Sequence, residues 1–260
     1  MLIIITNDGG PSDYLPGVVA DKEKYTNFFT SNEGGGWDSN EVLIPDTNKF
    51  STKDLQQYVK CEEKRSHVDY WLIVFCGHGG MDNKGVTFFD FYNEDFISER
   101  KIKSMFSNSR CLLIADSCRP SPYLNLKTIT ESRISDGKNN QTSYRKKCQM
   151  IYNQQIERIP VGGFFRAYAS SFDYGAEEIS DTCGGCYSYY LIQCAKEQIN
   201  KEKKNRRENL FDREICNEVF SIGYIHRNAK RMVLQSTEGR QHPEYLTARI
   251  PQPPFCVIPL

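Results

Sequence analysis

Two strongly apolar runs in this 260-residue chain are each followed by a chemically reactive side chain. The first, YWLIVFC at 70–76, leads to His78 between two glycines, and the second, CLLIAD at 111–116, leads to Ser117 and Cys118. Short runs of this composition are typical of parallel strands that are buried on both faces. Because chemistry gathers beyond the carboxyl ends of such strands, we expect an imidazole and a thiol at one edge of a single sheet.

Further segments extend the same pattern along the chain. Strand-like runs occur at 2–6, 41–45 and 164–170, and a short β excursion is predicted at 86–91. Helices are predicted at 17–30, at 52–60 behind a Ser51 cap, and at 98–106. This alternation predicts a single α/β domain with a mainly parallel sheet between layers of helices.

The stretch 119–160 differs from the rest of the chain because it is polar and shows no sustained apolar period. It is interpreted as a long mobile insertion, which begins directly after Cys118. Downstream, helices are predicted at 187–199 and 209–234. The charged run 201–208 between them is interpreted as a solvated loop.

The charge balance limits the classes of partner. The chain has 33 basic and 33 acidic residues, so it lacks the basic surface that nucleic-acid binding usually needs. The apolar stretch 1–6 is too short for a signal peptide, and no later run approaches the thickness of a bilayer. We therefore expect a soluble, cytoplasmic protein without a nucleic-acid or membrane partner.

Ten cysteines could suggest a disulfide scaffold, but several lie inside apolar patterns, where a reduced thiol behaves as a small hydrophobe. Cys183 and Cys186 have the spacing of half a zinc site or of a redox motif. No second such pair exists, so we expect no metal site, and the role of these two cysteines stays open.

Cys118 and His78 are the candidate catalytic residues. A cysteine becomes a useful nucleophile when its thiolate is accessible and stabilised by an imidazole, and His78 is the one histidine predicted at a strand tip. The backbone N–H groups of Gly79 and Cys118 are the candidate oxyanion donors. Taken singly, Cys118 is better explained as a structural thiol and His78 as a turn residue; their pairing on successive strands favours catalysis.

These motifs resemble those of caspase-like cysteine proteases, closer to metacaspases and prokaryotic caspase homologues than to animal caspases. The resemblance covers most of the chain. It rests on Leu15-Pro16-Gly17 followed by Asp21, on Gly77-His78-Gly79, on Asp116-Ser117-Cys118, and on Tyr168-Ala169-Ser170-Ser171 before Ala176-Glu177 and Gly184-Gly185. It implies a caspase-like, six-stranded, mainly parallel sheet with helices on both faces. Residues 1–118 would be the large-subunit-like part, 119–160 the linker, and 161–260 the small-subunit-like part.

The resemblance also implies a mechanism that requires no cofactor. Cys118 would attack the scissile carbonyl and His78 would protonate the leaving amine. The amides of Gly79 and Cys118 would hold the oxyanion, and water would release the acyl-enzyme. The sequence departs from the metacaspase pattern at Arg119-Pro120, where a small residue and glycine are usual, which puts the geometry of this loop in question.

The residue two positions before the thiol indicates the substrate. Animal caspases have glutamine there, whereas this chain has Asp116, as metacaspases do. A carboxylate favours arginine or lysine before the cut. Asp13, Ser170 and Asp173 are further candidates for substrate binding. The alternative role for Asp116 is to brace the loop that carries Cys118.

Regulation is expected from the same resemblance. Prokaryotic relatives often act in antiviral defence or cell death and are activated by a sensor protein or a small, nucleotide-derived molecule. Calcium is a further open possibility, although the acids around 82–99 do not form a calcium loop. Basic residues in the insertion predict self-cleavage there, with an uncut solvated loop as the alternative. Two other functions remain open: a catalytically weak ligand-sensing or scaffold module, and a thiol redox protein that uses Cys183 and Cys186.

Overall fold

The computed structural model describes residues 1–9, 13–46, 49–66, 68–91, 95–119, 142–172, 174–208, 218–247 and 251–259. The strands are β1 (Leu2–Asn7), β2 (Val42–Leu43), β3 (Tyr70–Gly77), β4 (Gly79–Met81), β5 (Thr87–Asp90), β6 (Phe96–Ser98), β7 (Arg110–Asp116), β8 (Phe164–Tyr168), β9 (Glu178–Ser180), β10 (Gly184–Gly185), β11 (Val219–Ser221), β12 (Glu244–Leu246) and β13 (Pro254–Val257). The helices are α1 (Gly17–Thr30), α2 (Thr52–Ser66), α3 (Glu99–Met105), α4 (Thr142–Glu157), α5 (Cys186–Glu208) and α6 (Ile222–Ser236).

A six-stranded sheet in the order β12-β8-β7-β3-β1-β2 forms the centre of the molecule. All its neighbouring strands run parallel except the edge pair of β12 and β8. The five predicted strands of this sheet are confirmed, although β2 has only two residues. The sixth strand, β12, was not identified from residues, because its three half-buried residues carry too little pattern.

Successive side chains of each strand point to opposite faces of the sheet and pack into two separate hydrophobic cores, as expected for strands covered on both faces. One core packs the sheet against α1, α4, α5 and α6, and the other packs it against α2, α3 and β5. A small antiparallel sheet of β4, β5 and β6 lies beside the second core. Among the described residues, no helix is long and apolar enough to cross a membrane.

The helix ends follow from local capping. Ser51 and Asp54 form a reciprocal capping box before α2, with Asp54 N–H donating to Ser51 Oγ and Ser51 N–H donating to the Asp54 carboxylate. Ser98 accepts from the Lys101 N–H at the start of α3. Both capping serines lie at the starts of helices that the sequence predicted.

The prediction of an unstructured insertion over 119–160 is wrong for its last part. Helix α4 buries Cys148, Ile151, Tyr152 and Ile156 in the core that the sheet shares with α1, α5 and α6. These four residues have helical spacing, but the polar residues between them hid it. Residues 120–141 lie outside the described part of the chain.

The interpretation of 201–208 as a loop is also wrong, because α5 continues through this run. Lysine, arginine and glutamate are good helix formers. Two of the basic residues are also anchored to other parts of the fold. Lys203 pairs with Glu33 at 2.7 Å, and Arg206 donates to the Pro259 carbonyl at 2.8 Å. The predicted helix 209–234 is confirmed from Ile222 onward, but it is wrong for 219–221, which form strand β11 and pair with β13. Residues 209–217 lie outside the described part of the chain.

Candidate active site

The thiol and the imidazole follow neighbouring strands at the same edge of the sheet. Strands β3 and β7 pair in parallel register, ending with Cys76 opposite Asp116. His78 and Cys118 each lie two residues beyond that last pair. The two loops touch, because a Cβ placed on Gly79 would lie 3.1 Å from Ser117 Oγ. The structure therefore brings these two candidate catalytic residues to one end of the sheet.

The His78 ring is oriented by a main-chain carbonyl. Its Nε2 lies 2.5 Å from the carbonyl oxygen of Asp13. A carbonyl can only accept a hydrogen bond, so Nε2 carries the proton and Nδ1 is left as the basic nitrogen. The backbone of Gly9, at φ +81°, approaches the ring so closely that a Cβ there would collide with it. Glycine at this position lets the loop pack against the imidazole.

The Cys118 thiol contacts the main chain of Ala176. The Ala176 N–H lies 3.3 Å from Sγ, and Sγ lies 3.6 Å from the Ala176 carbonyl oxygen. Burial raises the pKa of the Cys118 thiol, the Ala176 N–H lowers it, and the charges of Asp116 and Glu178 raise it further. The resting side chain is therefore a neutral thiol that needs a base to become a nucleophile.

Gly79 is well placed to donate to an oxyanion. In the β4–β5 hairpin, the Asp90 N–H donates to the His78 carbonyl and the Asp82 N–H donates to the Val86 carbonyl. Hydrogen-bonded pairs alternate along an antiparallel ladder, so the intervening Gly79 N–H points away from β5. This amide is available to a ligand beside the thiol loop.

Two buried carboxylates converge on Gly185, beside the thiol. Asp116 accepts the Ser188 N–H at 2.8 Å, and Asp21 accepts the Gly185 N–H at 2.9 Å. A Cβ on Gly185 would collide with the Asp116 carboxylate, so glycine keeps this space open. Burial raises the pKa of Asp116, and burial followed by the charge of Asp116 raises the pKa of Asp21 well above its usual value.

A third carboxylate, that of Glu178, joins this pair. It accepts the Gly17 N–H at 3.2 Å, and its pKa is raised first by burial and then by Asp116, while the Gly17 N–H opposes the shift. We call Asp21, Asp116 and Glu178 the acidic cluster. Lys24 lies 3.9 Å from Asp21 at its margin. The sequence pointed to Asp21 only within the family resemblance and did not point to Glu178, because no local spacing links Glu178 to its partner Gly17, 161 positions earlier in the chain.

The remaining substrate-binding candidates have different positions. Asp13 presents its carbonyl to His78, and its side chain is exposed. Ser170 is fully buried, and its hydroxyl donates to the Ser117 carbonyl at 3.2 Å, so it braces the thiol loop from behind. Asp173 lies outside the described residues.

Arg119 holds the thiol loop from within the fold. Its side chain is 7 % exposed and lies over the Tyr168 ring, 4.2 Å from the centroid. Its guanidinium donates to Glu244 at 2.6 Å, to the Ser170 carbonyl at 3.2 Å and to Thr87 Oγ1 at 3.1 Å. The departure from the metacaspase pattern at this position thus supplies a buried anchor; Pro120 is outside the described residues.

The segment 176–178 forms a wall of the site beside Cys118, and the turn after α6 holds it in place. Gln241 is fully buried, accepts the Glu177 N–H at 3.1 Å and donates to the Ala169 carbonyl at 3.0 Å. Arg240 forms a two-point ion pair with the Glu177 carboxylate. The wall therefore has a defined position relative to the sheet.

Two other uses of side chains were left open by the sequence: redox chemistry at Cys183 and Cys186, and calcium binding by the acids around 82–99. Cys183 and Cys186 are buried, and burial raises the pKa of Cys186 to about 12, the opposite of a reactive redox thiol. Asp95 binds Thr52, and Glu99 binds Arg166 and Tyr168. Within the described ranges, no group of three His, Cys, Asp or Glu side chains is arranged to hold a metal ion.

Comparison with known proteins identifies the family and the fold of the chain. The family described as the caspase domain matches residues 1–253. The crystal structure of caspase-1 from Spodoptera frugiperda superposes with a TM-score of 0.56 over 95 % of this chain and 84 % of that one, at 14 % identity, and so shares the fold. No curated protein matches the sequence significantly. The family match over nearly the whole chain shows that the protein belongs to the caspase family of cysteine proteases.

Proposed function

We propose that this protease cuts peptide chains after arginine, and also after lysine, with Cys118 as nucleophile and His78 as base. The observation that carries the proposal is the acidic cluster of Asp21, Asp116 and Glu178 beside the thiol. Two buried carboxylates and a half-buried third repel one another, and Lys24, 3.9 Å from Asp21, offsets this repulsion only in part, so a second cation would be favourable here. A guanidinium would offset that repulsion and can bind carboxylates in a bidentate manner.

Substrate binding and thiol activation are linked by charge. Asp116 and Glu178 both raise the pKa of the Cys118 thiol, so a bound basic side chain that neutralises them favours the thiolate. An acidic side chain in the same place would add a further negative charge. The proposed site thus selects basic substrates both by binding and by the reactivity of its nucleophile.

The proposed reaction uses these groups in turn. His78 Nδ1 takes the thiol proton, and Sγ attacks the scissile carbonyl while the N–H groups of Gly79 and Cys118 hold the oxyanion. His78 then gives its proton to the leaving amine, and water releases the acyl-enzyme. This chemistry uses no cofactor.

The direct test compares fluorogenic peptides that differ only in the residue before the cut, namely arginine, lysine or aspartate. Once activated, the wild-type protein should cleave the arginyl and lysyl peptides, and Cys118→Ala should cleave none. Cleavage of the aspartyl peptide alone contradicts the proposed specificity. A folded wild-type protein that reacts with neither an arginyl chloromethyl ketone nor any peptide supports the alternative of a ligand-sensing or scaffold module.

We further propose that the enzyme is a cytoplasmic effector in antiviral or cell-death signalling, activated by a sensor protein or a nucleotide-derived molecule. The support is the resemblance to prokaryotic caspase homologues. Activity of the purified protein should rise when the physiological activator is added. Full activity without any addition contradicts this proposal. Calcium is tested as one of the candidate activators.

Self-cleavage is proposed for the segment before α4. Arg145 binds the carbonyls of Thr30 and Trp37, both at 2.9 Å, and Lys146 and Lys147 lie in the same helix, so a protease cannot bind these residues in extended form without unfolding α4. Arg133 and Lys138 precede this helix, outside the described residues, and Arg158 follows it. Intact mass of the active enzyme should show a cut after Arg133 or Lys138 that Cys118→Ala lacks; an active, uncut chain contradicts processing.

A further inference from the structure

An acidic residue lies directly opposite His78 in the β4–β5 hairpin. The register pairs Gly79 with Phe89 and Met81 with Thr87, and one step further it pairs His78 with Asp90. The Asp90 N–H donates to the His78 carbonyl at 3.1 Å, which confirms this pairing. Side chains at directly opposite positions lie on the same face of the ladder, with Cβ atoms about 5 Å apart.

The backbone of Asp90 is held firmly in this position. Asn7, at the end of β1, donates through Nδ2 to the Asp90 carbonyl at 2.9 Å. The carboxylate is half-buried; burial raises its pKa, and the charge of His78 lowers it. The hairpin and β1 together therefore keep a negative charge near the imidazole.

Other charged groups lie on the elements around His78, but none of them stands opposite it in a strand pair. Glu178, on β9, belongs to the acidic cluster and is committed to the substrate side chain. On the loop after β1, Asp8 and Asp13 contribute carboxylates, with that of Asp13 exposed and its carbonyl bound to Nε2. On the β7 side stand the Cys118 thiol and, behind it, Asp116. Asp90 is the acid that the strand register pairs with His78 outside the substrate site.

We propose that Asp90 is a positioning residue for His78, whose carboxylate stabilises the imidazolium formed when Nδ1 takes the Cys118 proton. The inference rests on the proposed function. The proton moves from Sγ to Nδ1 and later to the leaving amine, while Asp90 stays ionised throughout. Because Nε2 already donates to the Asp13 carbonyl, Asp90 acts through its charge.

The test measures alkylation of Cys118 by iodoacetamide between about pH 5.5 and 9, which needs no peptide substrate. Peptide mapping separates Cys118 from the exposed Cys61. In Asp90→Asn the alkylation rate at about pH 6.5 should fall about 3- to 10-fold, because the pH profile moves by about 0.5 to 1 pH unit, and it should approach the wild-type rate above about pH 8.5. Asp90→Glu should restore much of the rate.

Two further variants separate this role from a general structural one. Asp69→Asn removes an exposed carboxylate beside the opposite end of β3 and should leave the profile unchanged. In a His78→Gln background, Asp90→Asn should have no additional effect, because its effect passes through the imidazole. An unchanged profile in Asp90→Asn, or an equal loss in the His78→Gln background, overturns the proposal. A wild-type protein that shows the Asp90-dependent profile yet cleaves no arginyl peptide refutes the proposed function and supports the Asp90 assignment.

Discussion

Replacing Asp21 with asparagine is expected to stabilise the fold and to weaken cleavage after arginine. Asp21 Oδ2 accepts the Gly185 N–H, and Oδ1 is a buried oxygen without a hydrogen-bond partner among the described residues. Burial and the neighbouring Asp116 raise the pKa of this carboxyl well above its usual value. Asparagine keeps an acceptor for Gly185 and removes the charge.

The magnitude for catalysis follows from the charge that is lost. A guanidinium about 4 Å from a carboxylate gains about 4 kcal/mol at an effective dielectric constant of about 20, which corresponds to about 10³-fold. Because Asp116 and Glu178 remain to share the cation, we expect kcat/KM for an arginyl peptide to fall about 10²-fold.

The effect on stability has the opposite sign. An acid whose pKa is raised by folding binds more protons in the native state than in the unfolded state. Its ionisation therefore removes stability as the pH rises from about 4 towards the pKa of the folded state, by about 1.4 kcal/mol for each pH unit that separates the two pKa values. Asp21→Asn should match the wild type near pH ~4 and exceed it at pH ~7.

Urea unfolding at about pH 4.5 and about pH 7.5 measures the stability, and initial rates on an arginyl peptide measure the catalysis. Glu23→Gln, which removes an exposed carboxylate from the same helix, is the matched control and should change neither. If Asp21→Asn keeps kcat/KM within about 3-fold of wild type, or lowers the stability at the higher pH, the reasoning about the acidic cluster is refuted.

Three further predictions concern the supporting structure. Arg119→Met should cost about 2–3 kcal/mol in urea unfolding, because it removes the donor from the Ser170 carbonyl and the Thr87 hydroxyl, both of them in buried residues; a cost below about 0.5 kcal/mol would show that the anchor is dispensable. Gly185→Ala should lower kcat/KM for arginyl peptides about 10²-fold while the fold is retained by circular dichroism, since its Cβ displaces the Asp116 carboxylate; unchanged cleavage contradicts this geometry. Burial lowers the pKa of His226 to about 3, so below about pH 6.5 the unfolded state binds a proton that the folded state does not. The free energy of unfolding of the wild type should therefore fall by about 1.4 kcal/mol per pH unit relative to His226→Gln, and parallel curves of stability against pH would contradict this.

The sequence predicted the parallel sheet and the edge at which His78 and Cys118 lie, because both depend on strong local patterns. Runs such as 70–76 and 111–116 have the composition of doubly covered strands, and adjacent parallel strands end at the same edge. The structure adds the exact partners of these residues, such as the Asp13 carbonyl on His78 Nε2.

The acidic cluster and the supporting contacts could not be predicted in the same way. Glu178 and Asp21 come together only through the packing of α1 against β9 and β10, which no local period encodes. Helix α4 and the charged end of α5 were missed because their stability comes from tertiary contacts rather than from a clear apolar face. Ser170 was a candidate for substrate binding, yet it is fully buried and its hydroxyl donates to the Ser117 carbonyl, a contact that no local pattern encodes.

The central claim is that Cys118 cuts after basic residues, and a peptide-library cleavage profile tests it most directly. The profile is recorded for wild-type protein and Cys118→Ala, with and without candidate activators. We predict cuts after arginine and lysine that are absent from the Cys118→Ala sample. Cuts confined to aspartyl sites, or cuts that persist in Cys118→Ala, would contradict the account.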